Sequence, residues 1–213
     1  MSNLSDKKRI LVLAPHGDDG ELGSGGVMAR FVEEGKYIYY MCFSMCEESI
    51  PEGFPKNALE EEVKNATKEL GVSRENLILN HYPVRRLCEY RQEILEKLVK
   101  VRSEISPEII FMPSSFSLHQ DHKLIYDEGM RAFKHLTCFG YDLPWDSLQF
   151  TTTSFFKLEK RHVEKKYEAV SHYKTQKHRE YCDREVIFSL ARIRGSQIIT
   201  TYAEAFEMIR IVF

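Results

Sequence analysis

Ile10-Leu11-Val12-Leu13-Ala14, followed at once by Pro15-His16-Gly17-Asp18-Asp19-Gly20-Glu21, is the stretch that sets the fold. Five aliphatic residues in a row, with charge before them and a Pro-His-Gly turn after, have the pattern of a strand buried on both faces. Such a strand belongs in the middle of a parallel sheet. Beyond Gly23, Gly25 and Gly26, residues 27–34 set apolar side chains at helical spacing and stop at Gly35, a residue suited to a helix C-terminus. Residues 37–43 read as a second strand. Strand, helix and strand within about 35 residues make a βαβ unit with a right-handed crossover.

The alternation continues outward. We expect a helix over 59–70 closed by Gly71, a strand at 77–79, a helix over 92–104 and a strand at 109–112 ended by Pro113. Helices over 124–135, 162–173 and 177–193 and strands at 151–158 and 206–213 complete an α/β fold. No repeat, low-complexity tract or Pro/Gly/Ser-rich linker divides the chain, so residues 1–213 are read as a single domain. Residues 46–56 and 141–148 are the expected irregular loops over a site.

With 30 basic and 32 acidic side chains the formal charge is -2, which offers no surplus for phosphate backbones or anionic lipid. Nucleic acid is therefore excluded as the main partner. No stretch reaches the roughly 18 apolar residues of a membrane span. The polar start, residues 1–9, lacks an apolar core and small-residue cleavage site. The five cysteines are odd in number and never spaced C-x-x-C, which suits buried thiols in a reducing compartment. The expected location is cytoplasmic.

Four ionisable side chains crowd into residues 16–21, at the carboxyl end of a predicted parallel strand, where open α/β sheets bind ligands. His16 and Asp19 are three apart, so one turn of chain can aim both at a divalent, zinc-like ion. Asp18 then stands beside the metal, able to take a proton from water during hydrolysis of a carbonyl compound. The competing reading is an acidic turn that caps the next helix. A second cluster, His119-Gln120-Asp121-His122, follows the strand at 109–112. One histidine of this pair can complete a three-ligand site, and the other can act as acid or electrostatic stabiliser oriented by Asp121. Spacing does not decide which is which. The two clusters together favour a metal site over two unrelated caps.

With both loops in view, the chain resembles the PIG-L/LmbE family of zinc-dependent N-acetylglucosaminyl deacetylases, whose motifs are H-P-D-D-E, continued by L-G-x-G-G, and H-x-D-H. Here they stand as His16-Gly17-Asp18-Asp19-Gly20, Leu22-Gly23-Ser24-Gly25-Gly26 and His119-Gln120-Asp121-His122. Weaker likeness extends to Glu62-x-x-x-Ala66-x-x-x-Leu70-Gly71-Val72, to Arg194-Gly195-Ser196-Gln197 and to Tyr202-Ala203-Glu204-Ala205-Phe206. The resemblance implies a Rossmann-like three-layer α/β/α fold with a mostly parallel sheet. It further implies that His16, Asp19 and His122 bind one Zn2+, or another divalent metal, that Asp18 is the general base, and that His119 is the acid or oxyanion partner supported by Asp121. The implied reaction is hydrolysis of a linear amide: a metal-bound water removes the acetyl group of an N-acetylglucosamine-type sugar, free, nucleotide-linked or lipid-linked. Self-association into a homo-oligomer is compatible with this reading.

The departures concern the surroundings. Gly17 replaces the motif proline and Gly20 its glutamate, whose part is either lost or taken up by Glu21. Ser117 stands where some members have a tyrosine, and where many have a substrate arginine ahead of the second helix, residues 50–62 offer only Lys56 as a cation. Arg85 and Arg86 are candidates to hold a phosphate or sugar hydroxyl instead. Two other readings remain: a non-catalytic nucleotide or nucleotide-sugar binder that cradles phosphate on Gly23–Gly26, and a zinc hydrolase of a different amide or ester. His81, His135, His162, His172 and His178 are read as surface or packing residues, Trp145 as a loop anchor in preference to a sugar-stacking ring, and the charges from 159 to 184 as solvated helix faces.

Overall fold

Residues 10–14 of the first strand, β1 (Arg9–His16), are wholly buried, and successive side chains enter different cores. Ile10, Val12 and Ala14 join one apolar cluster, and Leu11 and Leu13 another. Side chains alternate across a strand, so an unbroken aliphatic run demands a layer of helices on each face. Burying each of Ile10, Leu11, Val12 and Leu13 contributes roughly 1.5–3 kcal/mol.

The computed structural model describes residues 4–212; residues 1–3 of the polar start and Phe213 of the expected closing strand lie outside them. β1 pairs in parallel with β2 (Tyr37–Ser44) and β4 (Ile109–Pro113), and these with β3 (Leu77–Leu79) and β5 (Thr137–Tyr141). β6 (Ser154–Leu158) and β7 (Tyr202–Arg210) complete a seven-stranded sheet of order β3-β2-β1-β4-β5-β7-β6, in which β7 runs antiparallel to both neighbours. One helical layer holds α1 (Asp19–Glu33), α2 (Ala58–Glu69), α5 (Lys160–Val170) and α6 (Arg184–Ser196); the other holds α3 (Arg91–Ile105) and α4 (Gln120–Phe133). This is the expected single-domain, three-layer α/β/α fold with a mostly parallel sheet. Among the described residues no helix is long and apolar enough to cross a membrane.

Three expectations are corrected. β5 has no counterpart among the expected strands, and its residues are fully buried between β4 and β7. The first helix begins at Asp19 instead of residue 27, so Gly23, Gly25 and Gly26 lie inside α1. A Cβ on Gly26 would stand 2.6 Å from Leu158, and one on Gly25 3.1 Å from Lys166. These glycines admit neighbouring side chains, which removes the phosphate cradle of the nucleotide-binding reading. Finally, the expected helix over 177–193 starts only at Arg184; residues 171–183 instead form short 3-10 turns at Lys174–Gln176 and Glu180–Cys182. Thr175 fixes that path, giving its backbone N–H and hydroxyl to Glu62 at 3.0 and 2.6 Å. Of the cysteines, all free, only Cys42 and Cys138 are buried, so the expectation of buried thiols holds for two of five.

β7 is tied to α5 by a buried ion pair and to α1 by two hydrogen bonds. Lys166 Nζ lies 2.7 Å from Glu204 Oε1, and the carboxylate also accepts the backbone N–H groups of Gly26 and Val27 at 3.0 and 2.7 Å. Removing one member of such a pair strands the other charge. Lys166→Met is expected to lower stability by about 3–5 kcal/mol, seen as a fall in the urea midpoint. A midpoint equal to that of the natural chain would mean the two N–H groups suffice to hold Glu204.

Candidate active site

β1 and β4 end side by side on one sheet edge, and each hands its chain to a loop and then a helix. His16 is the last residue of β1 and Asp19 the first of α1, while His119 is the N-cap of α4 with Asp121 and His122 in its first turn. The two clusters, about a hundred residues apart, therefore meet. Asp19 Oδ2 lies 3.1 Å from His16 Nδ1 and 3.1 Å from His122 Nε2, and those two nitrogens are 3.3 Å apart. The same oxygen accepts the backbone N–H of His16 at 2.8 Å. His16, His119 and His122 also form a looser group, with ligand nitrogens within 4.8 Å of one another.

Each of the two histidines nearest Asp19 has a carboxylate behind it. His16 Nε2 lies 3.0 Å from Asp121 Oδ2, and His122 Nδ1 3.0 Å from Asp146 Oδ2 and 3.1 Å from Ser117 Oγ. The expectation that Asp121 orients His119 is corrected: its carboxylate serves His16 and accepts the backbone N–H of Arg85 at 2.6 Å. Asp121 hydrogen-bonds His119 through its backbone N–H, which donates to His119 Nδ1 at 3.1 Å, and its carboxylate acts on that ring only as a nearby charge. Nδ1 is thereby an acceptor, so a neutral His119 carries its proton on Nε2. Burial, then the neighbouring His16 and His122, lower the pKa of His119 and favour that neutral form.

The electrostatics follow from three carboxylates set around two imidazoles. Burial opposes charging His122, but Asp19 and Asp146 outweigh it and raise its pKa to about 9; His16 is raised in the same way by Asp19 and Asp121. Asp18 occupies the N-cap position of α1 yet makes no capping hydrogen bond. The capping explanation therefore does not account for it. Burial, then the charge of Asp19, raise its carboxyl to about 6.

Packing explains the motif departures. A Cβ on Gly20 would stand 2.5 Å from the Tyr40 ring, so that ring fills the space of a side chain at this position. Glu21, fully buried, takes hydrogen bonds from the Tyr40 hydroxyl and, at 2.7 Å, from the Tyr173 hydroxyl; both hydroxyls also reach the Gly17 carbonyl. Burial raises the Glu21 carboxyl to about 8. Gly17 itself is pressed by α2, with Val63 2.8 Å and Leu59 2.9 Å from where a Cβ would stand. Ser117 closes the site from the other side through its bonds to His122 and Asp146.

A cleft of about 260 Å³ opens over these groups, lined by Asp18, Arg85 and His119 and walled by Trp145, Arg179 and Tyr181. Arg86 is not part of it. The sequence offered Arg86 as a substrate contact, but its guanidinium is held by Glu89 at 2.7 and 2.9 Å, a partner one helical turn away. None of the five outlying histidines lines the cleft. Sequence reasoning missed Asp146, Arg179 and Tyr181. The first lies in the loop expected over a site, whereas the other two fall in what reads as a solvated helix.

The same fold occurs in solved structures. The conserved protein TT1542 from Thermus thermophilus is 25% identical with a TM-score of 0.80, over 97% of this chain and 96% of that one. N,N'-diacetylchitobiose deacetylase from Pyrococcus horikoshii, 18% identical, has a TM-score of 0.75 over 95% of this chain and 84% of that one, a likeness of fold alone. The "Uncharacterized deacetylase YaiS" of Escherichia coli (strain K12) is 26% identical over 180 residues, 82% of this chain and 95% of the relative. Residues 11–133 match the PIG-L family, described as GlcNAc-PI de-N-acetylase, and the chain belongs to this deacetylase family.

The tightness around Gly20 is testable. Gly20→Ala drives a methyl into Tyr40 and is expected to cost about 1–3 kcal/mol, as other overpacked sites do, lowering the melting temperature. An unchanged melting temperature would show that Tyr40 is free to shift.

Proposed function

We propose that this chain is a zinc-dependent hydrolase that removes the acetyl group from an N-acetylated amino sugar, with His16, Asp19 and His122 holding the metal. The observation that carries the proposal is the triangle of His16 Nδ1, Asp19 Oδ2 and His122 Nε2, with sides of 3.1–3.3 Å, beside an uncapped Asp18. Ligands about 2.0–2.1 Å from a tetrahedral zinc stand roughly 3.3 Å apart. The donor set fits the ion in chemistry as well: two imidazoles and a carboxylate, with further carboxylates on the far nitrogens, form a pocket short of positive charge. His16, His119 and His122 form a larger triangle, so Asp19 is the better third ligand. Bound there, zinc supplies a Lewis acid for the amide carbonyl and lowers the pKa of water.

The chain's own groups supply the rest. With a metal bound, Asp121 would hold the His16 proton on Nε2 and Asp146 the His122 proton on Nδ1, leaving Nδ1 and Nε2 respectively free to act as ligands. Asp18, with its carboxyl raised to about 6, is ionised at neutral pH and accepts the proton of the attacking water. His119 offers the Nε2 proton to the developing oxyanion or to the leaving amine. Membership of a deacetylase family supports the bond that is cleaved, and the relative acting on N,N'-diacetylchitobiose supports an amino-sugar substrate.

Acetate release from N-acetylglucosamine and its conjugates, with and without a chelator, tests the reading. Asp18→Asn is expected to keep about one zinc per chain and lose at least about 100-fold in turnover, as for other general bases. His122→Ala is expected to lose the zinc. Full turnover in Asp18→Asn, or full zinc in His122→Ala, would overturn the assigned role. Release of acetate from a different amide or ester alone would retain the chemistry and replace the sugar.

A further inference from the structure

The walls of the cleft carry groups for which the hydrolytic step has no use. Arg85 and Arg179 both line it, from separate segments of chain. Elsewhere Arg9, Arg30, Arg86, Arg91, Arg131, Arg161 and Arg184 each meet a glutamate. Among the described residues, neither Arg85 nor Arg179 has a carboxylate within ion-pair distance, and the Arg85 guanidinium reaches only Ser49 Oγ, at 3.3 Å.

The placement of Arg85 is enforced. Its backbone sits in the left-handed region, φ 66°, unusual for a residue other than glycine. It is held there by its N–H on Asp121 Oδ2 at 2.6 Å and its carbonyl on the Gln120 side chain. The carboxylate that orients His16 thus also anchors the backbone of Arg85 at the edge of the cleft. Arg179 precedes the turn Glu180–Cys182 and gives its backbone N–H, at 2.8 Å, to the carbonyl of Gln176, the last residue of the 3-10 turn that Thr175 pins to Glu62. Next to it, Tyr181 stacks on Trp145 with ring centroids 4.0 Å apart and planes within 9°, and Trp145 stays 43% exposed. Below, Asp19 and Asp146 are engaged by histidines, so they do not neutralise the two arginines by direct pairing.

We propose that Arg85 and Arg179 form a subsite for an anionic substituent, a phosphate or a carboxylate, on the amino-sugar substrate, with the Trp145–Tyr181 stack as the wall along the sugar ring. The proposal rests on the amino-sugar reading of the floor and adds a substrate class to it. Guanidinium groups match the planar, two-oxygen edge of both anions.

The chain has one tryptophan, Trp145, so its emission reports occupancy of the cleft without any turnover. The zinc-loaded protein is titrated with N-acetylglucosamine, its 1-phosphate, its 6-phosphate and N-acetylmuramic acid, and acetate release is followed on the same four compounds. At least one anionic sugar is expected to bind about tenfold or more tighter than the neutral one, as charge-assisted bonds to guanidinium allow. Arg179→Gln and Arg85→Gln are each expected to reduce that preference toward one, through KM more than kcat. Which anion is preferred separates phosphate from carboxylate. Equal binding of neutral and anionic sugars, or an undiminished preference in both variants, overturns the subsite. Acetate release without anion preference would sink the subsite and leave the deacetylase reading standing, whereas anion-selective binding without acetate release would do the reverse.

Discussion

Asp19 Oδ2 gathers three nitrogens about 3 Å away: the backbone N–H and Nδ1 of His16 and the Nε2 of His122. A buried carboxylate is tolerated only where such partners compensate its charge. The requirement ties the end of β1, the start of α1 and the first turn of α4 to one point. It also holds Asp19 well below the ordinary carboxylate range, because the attraction of His122 and His16 exceeds the penalty of burial. The joining of β1 and β4 as neighbouring parallel strands brings the two segments within reach.

Around that point the chain is arranged in rings of decreasing charge. Asp121 and Asp146 fix the outer nitrogens of the two histidines, and Ser117 braces the second of them. Beneath lies a neutral layer, in which Tyr40 and Tyr173 hold a Glu21 whose carboxyl is raised to about 8. The motif glutamate is absent at Gly20 because Tyr40 fills its space, and Glu21, one residue on, is carried inward to those tyrosines. Gly17, facing α2, is small for a similar reason.

What was legible in the sequence follows from burial. β1 is covered on both faces, so its apolar run is continuous and easily recognised, and the crowding of His16, Asp18 and Asp19 at its end marked the site. β5 was not legible, since Thr137-Cys138-Phe139-Gly140-Tyr141 follows α4 almost without a break and owes its burial to β7, distant in sequence. The early start of α1 was hidden for a different reason. Glycine costs roughly 1 kcal/mol in a helix interior, and only the partners Tyr40, Lys166 and Leu158 show why Gly20, Gly25 and Gly26 are there. Adjacent spacing suggested that Asp121 serves His119, yet its side chain reaches across to β1. Arg179 and Tyr181 were invisible because their segment is fixed by Thr175 and Glu62, a contact between residues 113 apart.

The most direct test of the account is anomalous diffraction at the zinc edge from crystals of the zinc-loaded protein. The geometry predicts a single site about 2.0–2.2 Å from each of His16 Nδ1, Asp19 Oδ2 and His122 Nε2, with His119 beyond bonding distance. A zinc ligated by His119 in place of Asp19, or no zinc between the ends of β1 and β4, would contradict it.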